Sequence, residues 1–361
     1  MRLTDEQEEL RSAVRSLLNR YEGASAWGPL AGQIGVAALA VPEEYGGVGG
    51  GARDVHVLME ELGRCLSPLP VLGSAVLTAG ALLASGDKAA CARLLPALAE
   101  GRSVGALAWA EQGSWDAESV RTRAVPGPGG DVWSLSGVKE HVLDWPGGVD
   151  VLLVAARTAA GVSLFEVPVD APGARREPVV TLDGTRSQAR WVLEGAEGRP
   201  VGVAGDGERV LAHVRDLACT ALAAEQVGAA ERCLALTVAY ARERVQFGRA
   251  IGSFQAVKHR LADAYVLVES GRSAALGAAF AADETPGALP RAAAVAKSVC
   301  SEAFSAVAGE TIQLHGGIGI TWEHEAHRHF KRAHGAGELF GPPAEHRARL
   351  AAGLGLVPAS H

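Results

Sequence analysis

Two short segments carry the residue types that a dinucleotide phosphate needs. In Gln313–Leu314–His315–Gly316–Gly317–Ile318–Gly319 a helical stretch runs into a glycine cluster. In Arg244–Val245–Gln246–Phe247–Gly248 another helical stretch closes on a cation and an aromatic. Glycines let a backbone approach a pyrophosphate closely, and an arginine offers it a planar, permanently charged partner. The glycine cluster follows a helix rather than a strand, so it is not a Rossmann fingerprint.

Other groups are weaker candidates. His324, His327, His329 and His334 crowd one segment with Glu323 and Glu325. His324 and His327, three apart, could face one metal, but no third ligand is evident, and a solvated helix face is the reading adopted. Glu225 lies in a long apolar helical run, where an ion pair within a bundle is expected rather than a substrate contact. Ser134, Ser136 and Ser163 have no matching His and Asp for nucleophilic hydrolysis.

The elements that must hold these residues fall into three stretches. Residues 1–100 read as helical, opening on a capping box, Thr4–Asp5–Glu6–Gln7, with Leu10, Val14 and Leu17 on one face. Residues 101–202 read as a compact antiparallel β domain. Its runs are Val104–Trp109, Val132–Ser136, Val151–Ala156, Val162–Val167 and Ala189–Leu193, with a hairpin loop at Val125–Pro126–Gly127–Pro128–Gly129–Gly130. Residues 203–361 return to helical period. One face carries Leu234, Val238, Ala241 and Val245, a second Leu261, Tyr265 and Val268, and a third Ala292, Val295, Val299 and Ala303. Short connections at Gly248–Gly252 and Thr285–Pro290 imply an antiparallel bundle.

Composition narrows the function classes. The chain has 361 residues, enough for two or three domains, with 48% hydrophobic content and only 5% aromatic. A net charge of −7 argues against a nucleic-acid surface. Neither a signal-peptide pattern nor an apolar run long enough to span a bilayer is seen. Five scattered cysteines without metal spacing suit a reducing cytoplasm, the expected location.

Helical domain, small β domain and four-helix bundle, in that order, resemble the acyl-CoA dehydrogenase family of flavoproteins over nearly the whole chain. Val41–Pro42–Glu43–Glu44–Tyr45–Gly46–Gly47 resembles its PEEYGG loop, and Glu60–Glu61–Leu62–Gly63–Arg64 its EELGR segment. Arg244–Gly248, then Phe254–Gln255–Ala256–Val257 and Leu261–Ala262–Asp263, are similar to its RxQFGxxIxxFQxVxxxLAD signature, and Gln313–Gly319 to its QxHGGxG motif. The resemblance implies an α+β, mainly α fold and FAD as cofactor. It implies that two protomers share each FAD, with Arg244, Phe247, Gln255, Gln313, Gly316 and Gly317 contacting its ADP half across a dimer interface. The implied reaction is α,β-dehydrogenation of an acyl-CoA thioester: a base takes the proton beside the carbonyl and a hydride leaves to the flavin.

Where the base is expected, the chain departs from the pattern. Counting on from Gly317 without gaps, the family's Tyr–Glu–Gly–Thr turn falls on Leu339–Phe340–Gly341–Pro342, so Phe340 replaces the glutamate. Glu338, two residues away, serves only if the turn is shifted. The alternative base position of some members falls on Ala235 and Leu236, both apolar, and an arginine that some aim at substrate falls on Cys219. On the flavin side, Thr–Glu–Pro becomes Ala110–Glu111–Gln112. Lys–x–x–Ile–Thr becomes Lys139–Glu140–His141–Val142–Leu143.

Residues offered to a neighbour's ADP half are kept, and those around the chain's own flavin ring are replaced. This pattern resembles the smaller subunits of heteromeric actinobacterial enzymes, a likeness shared by Thr321–Trp322–Glu323–His324 and Phe330–Lys331–Arg332–Ala333. Three alternatives stay open: a self-sufficient homo-oligomer with a divergent base, a member acting on carrier-protein thioesters, and a flavin-free scaffold subunit. The partner is accordingly a homologous subunit or a second copy, as dimer or tetramer. The electron acceptor is open, with electron-transfer flavoprotein among the candidates.

Overall fold

The computed structural model describes residues 2–127, 129 and 131–356. Contacts divide the chain into two compact units. The first comprises the described parts of Met1–Leu18, Val55–Ser67 and Cys219–His361, and the second Asn19–Asp54 and Pro68–Ala218.

In the order of the chain, the helices are α1 (Asp5–Arg20), a single turn α2 (Trp27–Pro29), α3 (Ala52–Arg64), α4 (Ala79–Ser85) and α5 (Lys88–Ala99). After the strands come α6 (Gly207–Glu243), α7 (Gln255–Glu284), α8 (Leu289–His315), α9 (Ala326–Glu338) and α10 (Pro343–Gly353). The capping box of α1 forms as read: Gln7 N donates to Thr4 Oγ1 at 3.2 Å and Thr4 N to Gln7 Oε1 at 3.1 Å.

Within the first unit, α6 is the axis. Its Cys219–Ala230 stretch is buried all round, which is why it shows no single apolar face. Polar groups in that stretch have partners: Arg332 Nη1 of α9 donates to Glu225 Oε1 at 2.7 Å, and Gln226 Nε2 to Ser301 Oγ of α8 at 3.0 Å. Glu225 is thus the ion-paired bundle residue its surroundings suggested. Small residues set the spacing of the helices. A Cβ on Gly63 of α3 would lie 1.9 Å from the Glu225 carbonyl oxygen, and one on Gly228 of α6 would lie 1.9 Å from that of Glu60.

The helix faces expected from large residues are displaced. On α7 the buried line is Ala264, Val268, Gly271 and Ala275, while Tyr265 is 57% exposed. On α8 it is Ala293, Ala296, Cys300 and Phe304, while Val295 is 37% exposed. Val245 lies beyond the end of α6, 56% exposed. Helices this close carry Ala and Gly at the seam, so the bulkier side chains turn outward.

The second unit contains a seven-stranded sheet: β1 (Gly105–Ala108), β2 (Arg123–Pro126), β3 (Trp133–Leu143), β4 (Val151–Thr158), β5 (Gly161–Val167), β6 (Ala174–Val179) and β7 (Gln188–Val201). Its order is β1-β4-β2-β3-β7-β5, with β6 on β7, and β5 pairs β4 again, so the path returns on itself. The sheet is mixed rather than wholly antiparallel. β1 runs parallel to β4, and β2 touches β4 in parallel at Arg123 and Arg157. The expectation failed at the short run β1, whose direction no local turn fixes. β4 is buried over its first six residues, as its unbroken Val-Leu-Leu-Val-Ala-Ala requires. β2 and β3 form the expected hairpin, with Gly127 N donating to Val132 O at 2.8 Å; Pro128 and Gly130 of that loop lie outside the described residues.

Candidate functional site

The Arg244–Gly248 motif is a hairpin, not a helix end. β8 (Val245–Gln246) pairs antiparallel with β9 (Arg249–Ala250) across a two-residue loop. Both loop residues are left-handed, Phe247 at φ 52° and Gly248 at φ 74°. Such loops ordinarily take Asn or Gly; a phenylalanine there costs about 1–2 kcal/mol. Phe247 nevertheless stands 92% exposed. It meets Phe254 edge-on at 6.3 Å, and Arg249 lies over the Phe254 ring at 3.9 Å. Phe254 caps α7, so the hairpin and exposed Gln255 share one corner. The exposed Arg244 side chain makes no ion pair among the described residues.

The end of α8 reaches the same corner through aromatic rings. Tyr240, four residues before Arg244, stacks on His315 at 4.5 Å, and His315 meets His324 at 4.4 Å. The buried His315 Nδ1 donates to Thr311 O at 2.7 Å, fixing the ring beside the glycines. Gly316 has φ 62° and ψ −142°, a conformation that suits glycine. A Cβ on Gly316 or Gly317 would meet nothing within 4 Å, and Gln313 is exposed. Open glycine backbone, an uncommitted guanidinium and an exposed aromatic face fit a diphosphate-bearing group approaching from outside the chain.

A different neighbourhood holds Phe340. Its side chain is fully buried with φ 61°, whereas Glu338 is exposed. The preceding turn is fastened by Lys297, itself without exposure. Its Nζ donates to Gly337 O at 2.7 Å, Ala336 O at 3.3 Å and Ser301 Oγ at 3.0 Å. An ammonium on the last carbonyls of α9 sits at the negative end of the helix dipole. His346 Nε2 donates to Phe340 O at 3.0 Å, and Cys219 Sγ lies 3.9 Å from the same nitrogen. Lys297 and Gln313 belong to the same helix, about 24 Å apart at 1.5 Å per residue. The Phe340 turn and the Arg244 corner are therefore separate places.

In the second unit, the segments matched to the flavin ring converge. Ala110 and Leu143 are buried apolar groups. Between them lies an ion pair that sequence reasoning missed: Lys139 Nζ donates to Glu111 Oε1 at 2.5 Å. Burial pushes the Lys139 ammonium down to about 8, against the pull of Glu111. Burial opposes ionisation of Glu111 too, yet Lys139 and the Thr122 amide hold it below the usual carboxylate range. The residues beside the pair, Gln112 (φ 52°) and His141 (φ 53°), are left-handed, and a register shift between Lys139 and Val142 marks the bulge. Trp109, Trp115 and His141 form a ring series at 5.0 and 5.9 Å. Strain of this kind gathers at functional sites. The pairing of Glu111 with Lys139 was not readable because it depends on sheet register.

Among the described residues no group of three or more His, Cys, Asp or Glu could hold a metal. His329 is not on a solvated face: it is 1% exposed, with Nε2 3.5 Å from Glu325. The apolar face of α9 turns it inward. Arg215, one turn before Cys219 on α6, donates to Asp116 Oδ1 at 2.7 Å.

Comparison with known proteins agrees with this architecture. The family profile described as acyl-CoA dehydrogenase, N-terminal domain, matches residues 4–102, and that for the C-terminal domain matches residues 205–355. The chain belongs to the acyl-CoA dehydrogenase family, FAD-dependent oxidoreductases acting on CH–CH bonds of acyl-CoA thioesters. Among its relatives, acyl-CoA dehydrogenase IpdE2 of Mycobacterium tuberculosis is 39% identical over 365 residues, 96% of this chain and 96% of its own. Among solved structures, the Tcur3481-Tcur3483 steroid ACAD, in a variant form, is 33% identical with a TM-score of 0.87 over 99% of both chains. The ChsE4-ChsE5 complex from Mycobacterium tuberculosis is 29% identical with a TM-score of 0.88, again over 99% of both.

When bound, FAD supplies the hydride acceptor. The chain's own groups divide into an outward-facing corner of open glycine backbone and an uncommitted guanidinium, and a buried phenylalanine turn held by Lys297 and His346. Among the described residues no helix is long and apolar enough to cross a membrane.

Proposed function

We propose that this chain is the partner-dependent subunit of a heteromeric acyl-CoA dehydrogenase, lending the ADP-half site to a homologous subunit that carries the base. In this reading Arg244, Phe247, Gln255, Gln313, Gly316 and Gly317 contact the FAD pyrophosphate and adenosine, and the chain divides functionally at 1–100, 101–202 and 203–361. The observation that carries it is Phe340, fully buried where a catalytic glutamate belongs, with Glu338 turned to the surface. A phenyl ring accepts no proton. Two similar structures bear paired names, Tcur3481-Tcur3483 and ChsE4-ChsE5, which favours a two-component assembly. The substrate class is an acyl-CoA, with a steroid-bearing thioester the first to try, and electron-transfer flavoprotein the first acceptor.

Absorbance with oligomeric mass tests the proposal. The chain alone should be colourless and should acquire flavin only with a homologous partner. A yellow homo-oligomer bleached by acyl-CoA would make it self-sufficient. Equal FAD affinity of the partner with and without the chain would make it a scaffold. Bleaching by carrier-bound but not CoA-bound acyl groups would move the substrate class.

A further inference from the structure

The loop that carries the glycines joins α8 to α9 over residues 316–325, and an imidazole stands at each end of it. At its start, His315 Nδ1 donates to Thr311 O at 2.7 Å, so that nitrogen carries a proton. At its close the roles reverse. Ala326 N, the first amide of α9, donates to His324 Nδ1 at 3.1 Å, so that nitrogen must keep its lone pair. The two rings meet at 4.4 Å, with Tyr240 of α6 stacked on His315 at 4.5 Å. The loop folds back on the end of α8 at Gly319, where a Cβ would lie 3.1 Å from that of His315.

We propose that His324 is an acid-sensitive latch on this loop: protonation breaks its bond to Ala326 and frees the glycines from the end of α8. A histidinium bears hydrogen on both nitrogens, so Nδ1 would face the Ala326 amide donor to donor. It would also place a cation at the positive end of α9. The groups around it do not reverse this preference. Glu325 is shared by Arg232 of α6, at 2.8 Å, and His329, at 3.5 Å, and Glu323 is exposed. Burial pushes the facing imidazoles, His315 of α8 and His327 of α9, below their ordinary value, and Lys331 and Arg328 push His327 the same way. The closed loop favours neutral His324. It therefore holds on the alkaline side of the histidine range, roughly pH 5 to 8, and gives way on the acid side. The consequence for the cofactor rests on the reading of Gly316 and Gly317 as FAD contacts: acid would loosen its ADP half.

Hydrogen exchange on the full chain, corrected for the intrinsic effect of pH, tests the latch without any flavin. Amides of residues 316–326 should exchange at least ~tenfold faster at about pH 5 than at about pH 8. The buried line of α7 through Ala264, Val268 and Ala275 should keep its protection at both. His324→Asn keeps an acceptor for the Ala326 amide and cannot titrate, so it should abolish the acceleration. His324→Ala should exchange fast at both pH values. Equal protection of the wild-type loop at both, an acid acceleration that survives in His324→Asn, or a His324→Ala loop that stays protected would overturn the latch. Flavin retention of the assembled enzyme is the separate readout. A loop that opens in acid while flavin stays bound would leave the latch standing and remove Gly316 and Gly317 from the cofactor.

Discussion

Arg244 shows what a single residue can and cannot announce. Its type and its place before Phe247–Gly248 were enough to suggest a phosphate partner, and the structure leaves its guanidinium outward and unpaired among the described residues. Arg244→Ala should therefore weaken FAD retention in the assembled enzyme by about tenfold or more, the value of one charge-assisted contact. The melting temperature of the isolated chain should barely move, because nothing internal is lost. Flavin content by absorbance, read beside thermal unfolding, checks both halves; unchanged flavin would remove Arg244 from the site. Other residues stayed illegible for a physical reason. Lys139 and His329 are charged or polar types that sequence places at the surface, and each is buried because a partner distant in the chain or one turn away receives it. The partner of Lys139 is set by strand register, which local sequence does not encode.

Among elements, helices were readable and the direction of one strand was not. The α1 capping box and the breaks around the α6–α7 connection follow local rules. The seam of the bundle obeys a packing rule instead: Ala and Gly lie where helices touch, so a face drawn through the largest residues is rotated from the buried one. Gly63 and Gly228 are the extreme case, each pressed against a carbonyl of the opposing helix. Gly63→Ala should destabilise the chain by about 2–4 kcal/mol through forced separation of α3 and α6. Gly309→Ala, on α8 with open space around its Cβ, should instead stabilise by roughly 0.5–1 kcal/mol through helix propensity. Equal effects in chemical denaturation would show that the α3–α6 contact is looser than described.

On the scale of the whole molecule, charge holds sequence-distant helices of the first unit together. Arg11 of α1 donates to Glu60 at 2.8 Å, Arg15 to Glu61 at 2.6 Å, and Arg272 of α7 joins Glu60 to Glu231. His56, 2% exposed, sits beside Glu60 with Nδ1 unpartnered. Burial first, then Arg11 and Arg272, push its pKa from 6.5 down to about 3. A depressed folded-state pKa means stability that is present above pH 6.5 and lost as pH falls toward 3, up to about 5 kcal/mol. Burial raises Glu60, which works the other way and offsets part of the loss. His56→Gln should flatten the acid limb of stability against pH, and an unchanged slope would assign the acid lability elsewhere. The anchoring of α9 by Lys297 bears on chemistry outside the active site. Acyl thioesters spontaneously acylate exposed lysine amines, and a protein that handles them lives with that damage. Of the five lysines, Lys139 and Lys297 have no solvent exposure, while Lys88 and Lys258 are exposed and Lys331 is partly so. Peptide mapping after incubation with a reactive acyl-CoA should find the adducts on those three. The two ammonium groups that hold the interior together should come through unmodified.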